Sequence, residues 1–381
     1  MRLDPAAVRF VMQRTGRFAP LREGLGDRLV TFDGRWGAVW RHMVRTHGLR
    51  EAWRRRLAPP APAFVAQARG NVARKVRRLP ELARVPGFVA AYARRKAKHA
   101  EFLTDMLERL MADLPEPVAV VYNGSYVPDA TLAAVAGAGR RVFIENGYFR
   151  GTIQADALGI NDDNSLPRDP AFYLGYQPDD RPLDMVLDTR DPKHRVEPPV
   201  GLPEGYVFVP FQVDSDSQIT LHSPWVGSMA AFHALVVEMA EALPDRVFVI
   251  KEHPYSRRTL AGRVAPHPRV IFQNGRNTQE LIDGAGGVLT INSTVGVEAL
   301  ARGKPVAMVG RACYRIEGLV RAAEDRAALR AALADLPDWR PDERLRRHFL
   351  HFLYYRFLLR GEGLPDDRDA GEVLLEVLAR A

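Results

Sequence analysis

Short apolar runs recur along the last two thirds of the chain, each too brief for a helix and each closed by a polar turn. Residues 118–122 (VAVVY) and 142–144 (VFI) flank a helical stretch at 129–138, and together they read as a β-α-β unit. Continuous apolar runs are what the strands of a parallel sheet need when helices cover both faces. A second series repeats the logic, with strands at 206–211, 247–250, 270–272, 287–291 and 306–309 and helices at 226–243, 277–285 and 295–302. This alternation predicts doubly wound parallel sheets of the α/β class. Upstream, residues 1–117 carry helical spacing interrupted by prolines, strongest over 88–114, and are expected to be mainly helical.

Between the two series, residues 178–203 turn to Asp, Pro and Arg with no apolar period, which marks a connection between domains. The expected division is therefore 1–117, 118–195, 196–330 and a helical tail at 331–381. At 381 residues the chain is long enough for two cores. No run approaches the ~20 apolar residues of a membrane span, and the first residues lack the apolar core of a signal peptide. A cytoplasmic location is expected, and the lone Cys313, read as a small buried residue, agrees with a reducing compartment.

Charge changes the picture for the N-terminal region. The net charge is +8, and between residues 35 and 98 seventeen Lys/Arg face two acidic residues. Such a stretch suits an anionic membrane surface, a polyanionic glycan or a nucleic acid, or simply solvated helix faces.

Candidate chemistry gathers at predicted strand ends. Residues 141–173 run from a strand into Glu145-Asn146-Gly147, then past Asp156, Gly159 and Asn161 to the turn-rich Asn164-Ser165-Leu166-Pro167-Arg168-Asp169-Pro170. A loop of this length lines a binding site or makes surface turns, and the aromatics Tyr148, Phe149, Phe172 and Tyr173 anchor it. Asn292-Ser293-Thr294 follows a strand and opens a helix, a place for a phosphate or for plain N-capping, with Glu298 in the first turn. Lys251 and His253 end another strand of that predicted sheet and suit phosphate oxygens. In the loop after residue 211, Gln212, Ser217 and Gln218 are candidate ligand contacts, with Asp214 and Asp216 shaping the turn. No metal is expected to be required, and neither GxxxxGK[ST] nor HExxH occurs.

These motifs, in this order from about residue 118 to 319, resemble the capsular polysaccharide biosynthesis proteins that include bacterial β-Kdo transferases of capsule assembly. The resemblance implies a GT-B-like fold: two Rossmann-like lobes facing a central cleft, with 1–117 a basic part of the N-terminal lobe. It implies an acceptor and catalytic lobe at 118–195 and a nucleotide-sugar lobe at 196–330. It also implies retaining transfer of Kdo from CMP-Kdo to a lipid or polysaccharide acceptor, with Asp156 as nucleophile and Glu145 as base. Arg150, Arg168 and Asn161 would hold the sugar. Gln212, Ser217, Gln218, Lys251, His253, Asn292, Ser293, Thr294 and Glu298 would hold the nucleotide. The basic region would seat the enzyme peripherally on the inner membrane face, and nucleic acid is not an expected partner. The alternatives are a transferase or epimerase for another nucleotide sugar, or a non-catalytic basic protein that binds glycan or nucleic acid.

Overall fold

Two sheets, of five and six strands, organise the computed structural model, which describes residues 3–185, 187, 201–256, 259–360 and 368–380. The chain divides into one unit of Met1–Gly147, Gly151–Ser165 and Leu358–Ala381, and a second of Tyr148–Arg150 and Leu166–Phe357.

In the first unit, β1 (Val8–Gln13), β2 (Leu29–Phe32), β3 (Glu116–Tyr122), β4 (Arg141–Asn146) and β5 (Ile153–Asp156) lie in the order β2-β1-β3-β4-β5. The first four are parallel and β5 is an antiparallel edge. Alternate residues serve opposite faces. Val11, Ala119, Val121 and Phe143 pack with Val39, Met43, Phe102, Leu103 and Leu107 of the helices Trp36–His47 and Phe88–Ala112. Val8, Phe10, Met12, Val118, Val120, Val142 and Ile144 pack with Leu21, Leu25, Val373, Leu374 and Val377 of the helices Ala19–Leu25 and Ala370–Ala379. Each such apolar side chain contributes roughly 1.5–3 kcal/mol by leaving water.

In the second unit all strands are parallel: β6 (Val207–Pro210), β7 (Phe248–Lys251), β8 (Val270–Phe272), β9 (Gly287–Thr290), β10 (Val306–Met308) and β11 (Arg321–Ala322). Their order, β11-β10-β9-β6-β7-β8, is that of a doubly wound nucleotide-binding sheet. The helices Met229–Ala242 and Arg326–Asp335 place Phe232, Val236, Leu329 and Leu333 in the same core as Val207, Val209, Ile250, Leu289 and Ala307. The expected α/β class with Rossmann-like parallel sheets is the observed one.

Several details differ from the pattern of the sequence. Residues 1–117 are mostly helical, yet they also supply β1, the strand between β2 and β3. Its strand state comes from pairing with residues more than a hundred positions away, such as Phe10 with Val118. Asp156, expected on a loop, ends β5. A division at 330 runs through the helix Arg326–Asp335, and the helix Ala370–Ala379 packs on the first unit's sheet. The expected boundary at 195/196 and most of the connection at 178–203 lie outside the described residues.

The helix Phe88–Ala112 buries two titratable groups, Lys98 and His99, and Lys98 is paired with Glu101 at 2.7 Å. The His99 ring lies edge-on to Trp36, with centroids 5.7 Å apart, and its Nε2 is 2.8 Å from the Gly34 carbonyl oxygen, so the neutral ring donates there. Burial, reinforced by the nearby Lys96 charge, pushes His99 down to about 4 from its ordinary 6.5. A depressed imidazole contributes stability that is present above pH 6.5 and lost as pH falls towards about 4. The full effect is on the order of 3 kcal/mol. In urea unfolding followed across this window, wild type should lose stability on acidification, and His99→Gln, which keeps a donor for Gly34, should show a clearly shallower loss.

Candidate active site

In an open doubly wound sheet, ligands collect beyond the carboxyl ends of the strands where the strand order reverses. In the second unit that point lies between β6 and β9, and two buried amides tie it together. Gln212, just past β6, donates from Nε2 to Asn292 Oδ1 at 2.9 Å, and the Asn292 backbone N–H reaches Gln212 Oε1 at 3.4 Å. Asn292 Nδ2 donates to the carbonyls of Gln218 (2.9 Å) and His222 (3.2 Å). Buried amides are tolerated only when paired in this way. The pair therefore fixes the β9 turn against the short helix Ser217–Leu221.

The loop between them is shaped by carboxylates. Asp214 Oδ1 accepts from the Met229 N–H at 2.6 Å, and Asp216 caps Ser217–Leu221 by accepting from the Gln218 N–H. Ser217 is buried at the start of that helix. Gln218 Oε1 is buried with no hydrogen-bond partner among the described residues, and so is Gln279 Oε1. Orphaned buried acceptors call for a ligand or water donor.

After β9, Ser293 Oγ accepts from the Val295 N–H at 3.2 Å, and Thr294 opens the helix Val295–Ala301 without a side-chain cap. Tyr314 donates its hydroxyl to the Ser293 carbonyl at 2.6 Å. Burial holds that phenol well above its ordinary value, so it remains a donor. Tyr314 lies so near that a Cβ at Gly296 would sit 2.5 Å from its hydroxyl, which is why this turn needs glycine. Glu298 is buried and its Oε2 accepts from Gln279 Nε2 at 2.6 Å.

At the end of β7, His253 Nδ1 accepts from the Tyr255 N–H at 3.1 Å, which puts the ring proton on Nε2. Lys251 differs from its expected phosphate contact: it is buried and donates to the carbonyls of Asn274 (3.0 Å) and Arg276. A lysine this deep satisfies its charge with backbone oxygens, and here it clamps the turn after β8. Arg168 donates to the Leu166 carbonyl, and Arg150 is exposed on its turn.

In the first unit the carboxyl ends of β3 and β4 meet. Asn123, at φ +63°, donates from Nδ2 to Glu145 Oε2 at 2.9 Å, while Glu145 Oε1 accepts from the Asn146 N–H at 2.9 Å. Gly147 then turns the chain into β5 so tightly that a Cβ there would lie 1.9 Å from Thr152 Oγ1. Opposite Glu145 in the register stands Gln154. It donates to the Asn146 carbonyl and to Asn161 Oδ1, and it accepts from the Asn161 N–H.

Asp156 is buried one turn of the ladder further on. Its Oδ1 accepts from the N–H groups of Leu158 (2.8 Å) and Gly159 (3.3 Å), and its Oδ2 from the N–H (3.0 Å) and hydroxyl of Ser165. The carboxylate thus holds the whole 157–165 loop closed. Glu145 and Asp156 stand on the same face of the antiparallel β4–β5 ladder, two residues apart in register, and Asn161 is bonded to Gln154, the residue opposite Glu145. In the second unit the structure brings Gln212, Ser217, Gln218, Asn292, Ser293 and Thr294 together.

The sequence did not single out Asn123, Gln154, Ser165, Gln279 and Tyr314 as site residues. Asn123 had a signal in the Asn-Gly turn after an apolar run, and Ser165 in the turn-rich stretch 164–170. Cys313 is buried as expected, and its thiol also meets the Tyr148 hydroxyl at 2.8 Å.

A family described as capsule polysaccharide biosynthesis protein matches residues 188–361. Protein FixF of Sinorhizobium fredii (strain NBRC 101917 / NGR234) is 47% identical over 295 residues, covering 77% of this chain and 73% of FixF. The capsule polysaccharide export protein KpsS of Escherichia coli is 30% identical over 162 residues, 40% of each chain. Among solved structures, the Thermosulfurimonas dismutans KpsC β Kdo 2,7 transferase is similar at TM-score 0.45 and 17% identity, covering 72% of this chain and 89% of that one. Relatedness to FixF over more than two thirds of both proteins, together with the match across the second sheet, makes the chain a member of the capsule polysaccharide biosynthesis protein family.

Proposed function

We propose that the protein is a retaining glycosyltransferase of capsule biosynthesis that moves Kdo from CMP-Kdo to a lipid or polysaccharide acceptor. The observation that carries this reading is the Gln212–Asn292 pair across the switch point of a nucleotide-binding strand order, with Gln218, whose Oε1 is an orphaned acceptor, bonded to it through its backbone carbonyl. Gln218 Oε1 and Gln279 Oε1 suit the hydroxyl or amino donors of a nucleoside, and Ser293, Thr294 and His253 Nε2 supply donors to its phosphate. Ser217 lies beside Gln218, and Glu298 acts through Gln279. Lys251 supports the site by clamping the turn at residues 274–276.

Chemically, Asp156 attacks the anomeric carbon while the bond to the CMP phosphate oxygen breaks and that oxygen keeps the electron pair. Glu145 then takes the proton of the acceptor hydroxyl as that oxygen attacks from the face that CMP left, opposite Asp156, and the bond to Asp156 breaks with its electron pair returning to the carboxylate, so that two inversions give net retention. Asn161 orients the neighbouring Gln154, and Arg150 or Arg168 pairs with the sugar's carboxylate. For Asp156 to attack, one of its oxygens must give up its Ser165 partner, so Ser165 gates the nucleophile. Transfer proceeds without a metal cofactor, the phosphate being met by the donors already named.

CMP-Kdo generated in place, followed by intact-protein mass spectrometry, tests the donor and the nucleophile together. Wild type should carry a Kdo-sized adduct that Asp156→Ala lacks, whereas Ser165→Ala should retain it. Failure of wild type to form an adduct or release CMP, with lipid acceptors supplied, would move the assignment to another nucleotide sugar. His253→Ala should weaken CMP binding about tenfold by calorimetry, the loss of one charge-assisted hydrogen bond. A chelator such as EDTA should leave CMP release unchanged; loss of activity restored by Mg²⁺ would refute the metal-free mechanism.

A further inference from the structure

The helix Leu49–Leu57 presents to solvent what a surface helix ordinarily hides. Leu49, Trp53 and Leu57 are 57%, 45% and 69% exposed, and their spacing of four places them in one stripe. Ala52, on another side of the helix, is the residue that is buried. At about 100° per residue, Arg50 and Arg54 border the stripe on one side and Arg56 on the other. Arg54 is paired with Glu51, but no carboxylate pairs with Arg50 or Arg56 among the described residues.

The stripe is also rigidly supported. The Arg56 guanidinium lies 4.8 Å from the ring centre of Trp53, 5.3 Å from Trp40 and 5.7 Å from Trp36. Trp53 stands edge-on to Trp40 at 5.4 Å, so its position is set by stacking and by the cation over its face. At the end of the helix Arg94 donates to the Leu57 carbonyl and continues the basic border.

Two independent patterns coincide here. Half of the exposed large hydrophobics among the described residues lie between 49 and 85, inside the stretch where seventeen Lys/Arg face two acids. Solvated helix faces account for the arginines but not for the leucines. A soluble polyanion likewise satisfies the arginines and leaves Leu49 and Leu57 in water. A bilayer surface of anionic lipid takes both, since its headgroups pair with Arg and its acyl boundary accepts Leu and Trp.

We propose that the helix Leu49–Leu57 is a membrane-docking face that lays Leu49, Trp53 and Leu57 into the headgroup region of an anionic phospholipid bilayer. No helix among the described residues is long and apolar enough to cross a membrane, and this contact lies in the plane of the surface. The inference stands independently of the donor sugar.

Sedimentation of the full chain with vesicles tests it. The protein should bind phosphatidylcholine vesicles containing phosphatidylglycerol, not phosphatidylcholine alone, with a blue shift of tryptophan emission that Trp53→Phe removes. Leu49→Ser/Leu57→Ser should bind at least about tenfold more weakly. Both leucines are more than half exposed, so this variant should keep the wild-type circular dichroism. Absence of binding to the anionic vesicles overturns the proposal. So does vesicle binding that the leucine changes leave intact, since that is charge adsorption alone. Binding to duplex DNA or heparin without vesicle binding would assign the face to a soluble polyanion instead.

Discussion

Burial of the strands on both faces is the constraint from which the rest follows. Runs such as Val118–Val121 and Val207–Val209 have helices above and below, so a polar side chain in mid-strand would lose its water with nothing in return. Polar groups are therefore displaced to the strand ends. There, in both units, the candidate chemistry stands: Asn123 after β3, Glu145 in the last two residues of β4, Gln212 after β6, His253 after β7, Asn292 after β9.

At these ends the side chains are held mainly by one another and by loop backbone. Gln212 with Asn292, and Gln154 with Asn161, are amide pairs in which each partner satisfies the other. Asp156 gathers three backbone N–H groups and a hydroxyl, and so turns a nine-residue loop into a fixed wall. Such networks are stiff because an unpaired member costs its full desolvation, and that stiffness is what a site needs before a ligand arrives. Gln218 Oε1 and Gln279 Oε1 are exceptions to this economy among the described residues of the second unit, as is Trp225 Nε1.

The N-terminal helices solve a different problem. The helix Phe88–Ala112 closes one face of the first sheet with Phe102, Leu103 and Leu107, and its outward positions are free to carry charge. The helix Leu49–Leu57 gives that core Ala52 and carries apolar side chains outward as well. Its exposed leucines are no part of that core, which draws on Val39, Met43 and Phe102.

By itself the sequence determined the α/β class, the parallel strands from β3 to β10, and polar residues at several strand ends, because continuous apolar runs and the turns that close them are local signals. It also marked the loop after Glu145 as special through Asn146-Gly147 and the aromatics around it. It did not disclose β1, β2, the antiparallel β5 or the two-residue β11, whose strand state depends on pairing across the sheet and not on any period of their own. Nor did it assign partners. That Lys251 spends its charge on backbone carbonyls, that Gln279 meets Glu298, and that Tyr314 braces Ser293 are decided where distant segments pack, since a hydrogen bond between residues far apart in the chain leaves no mark on the spacing of either.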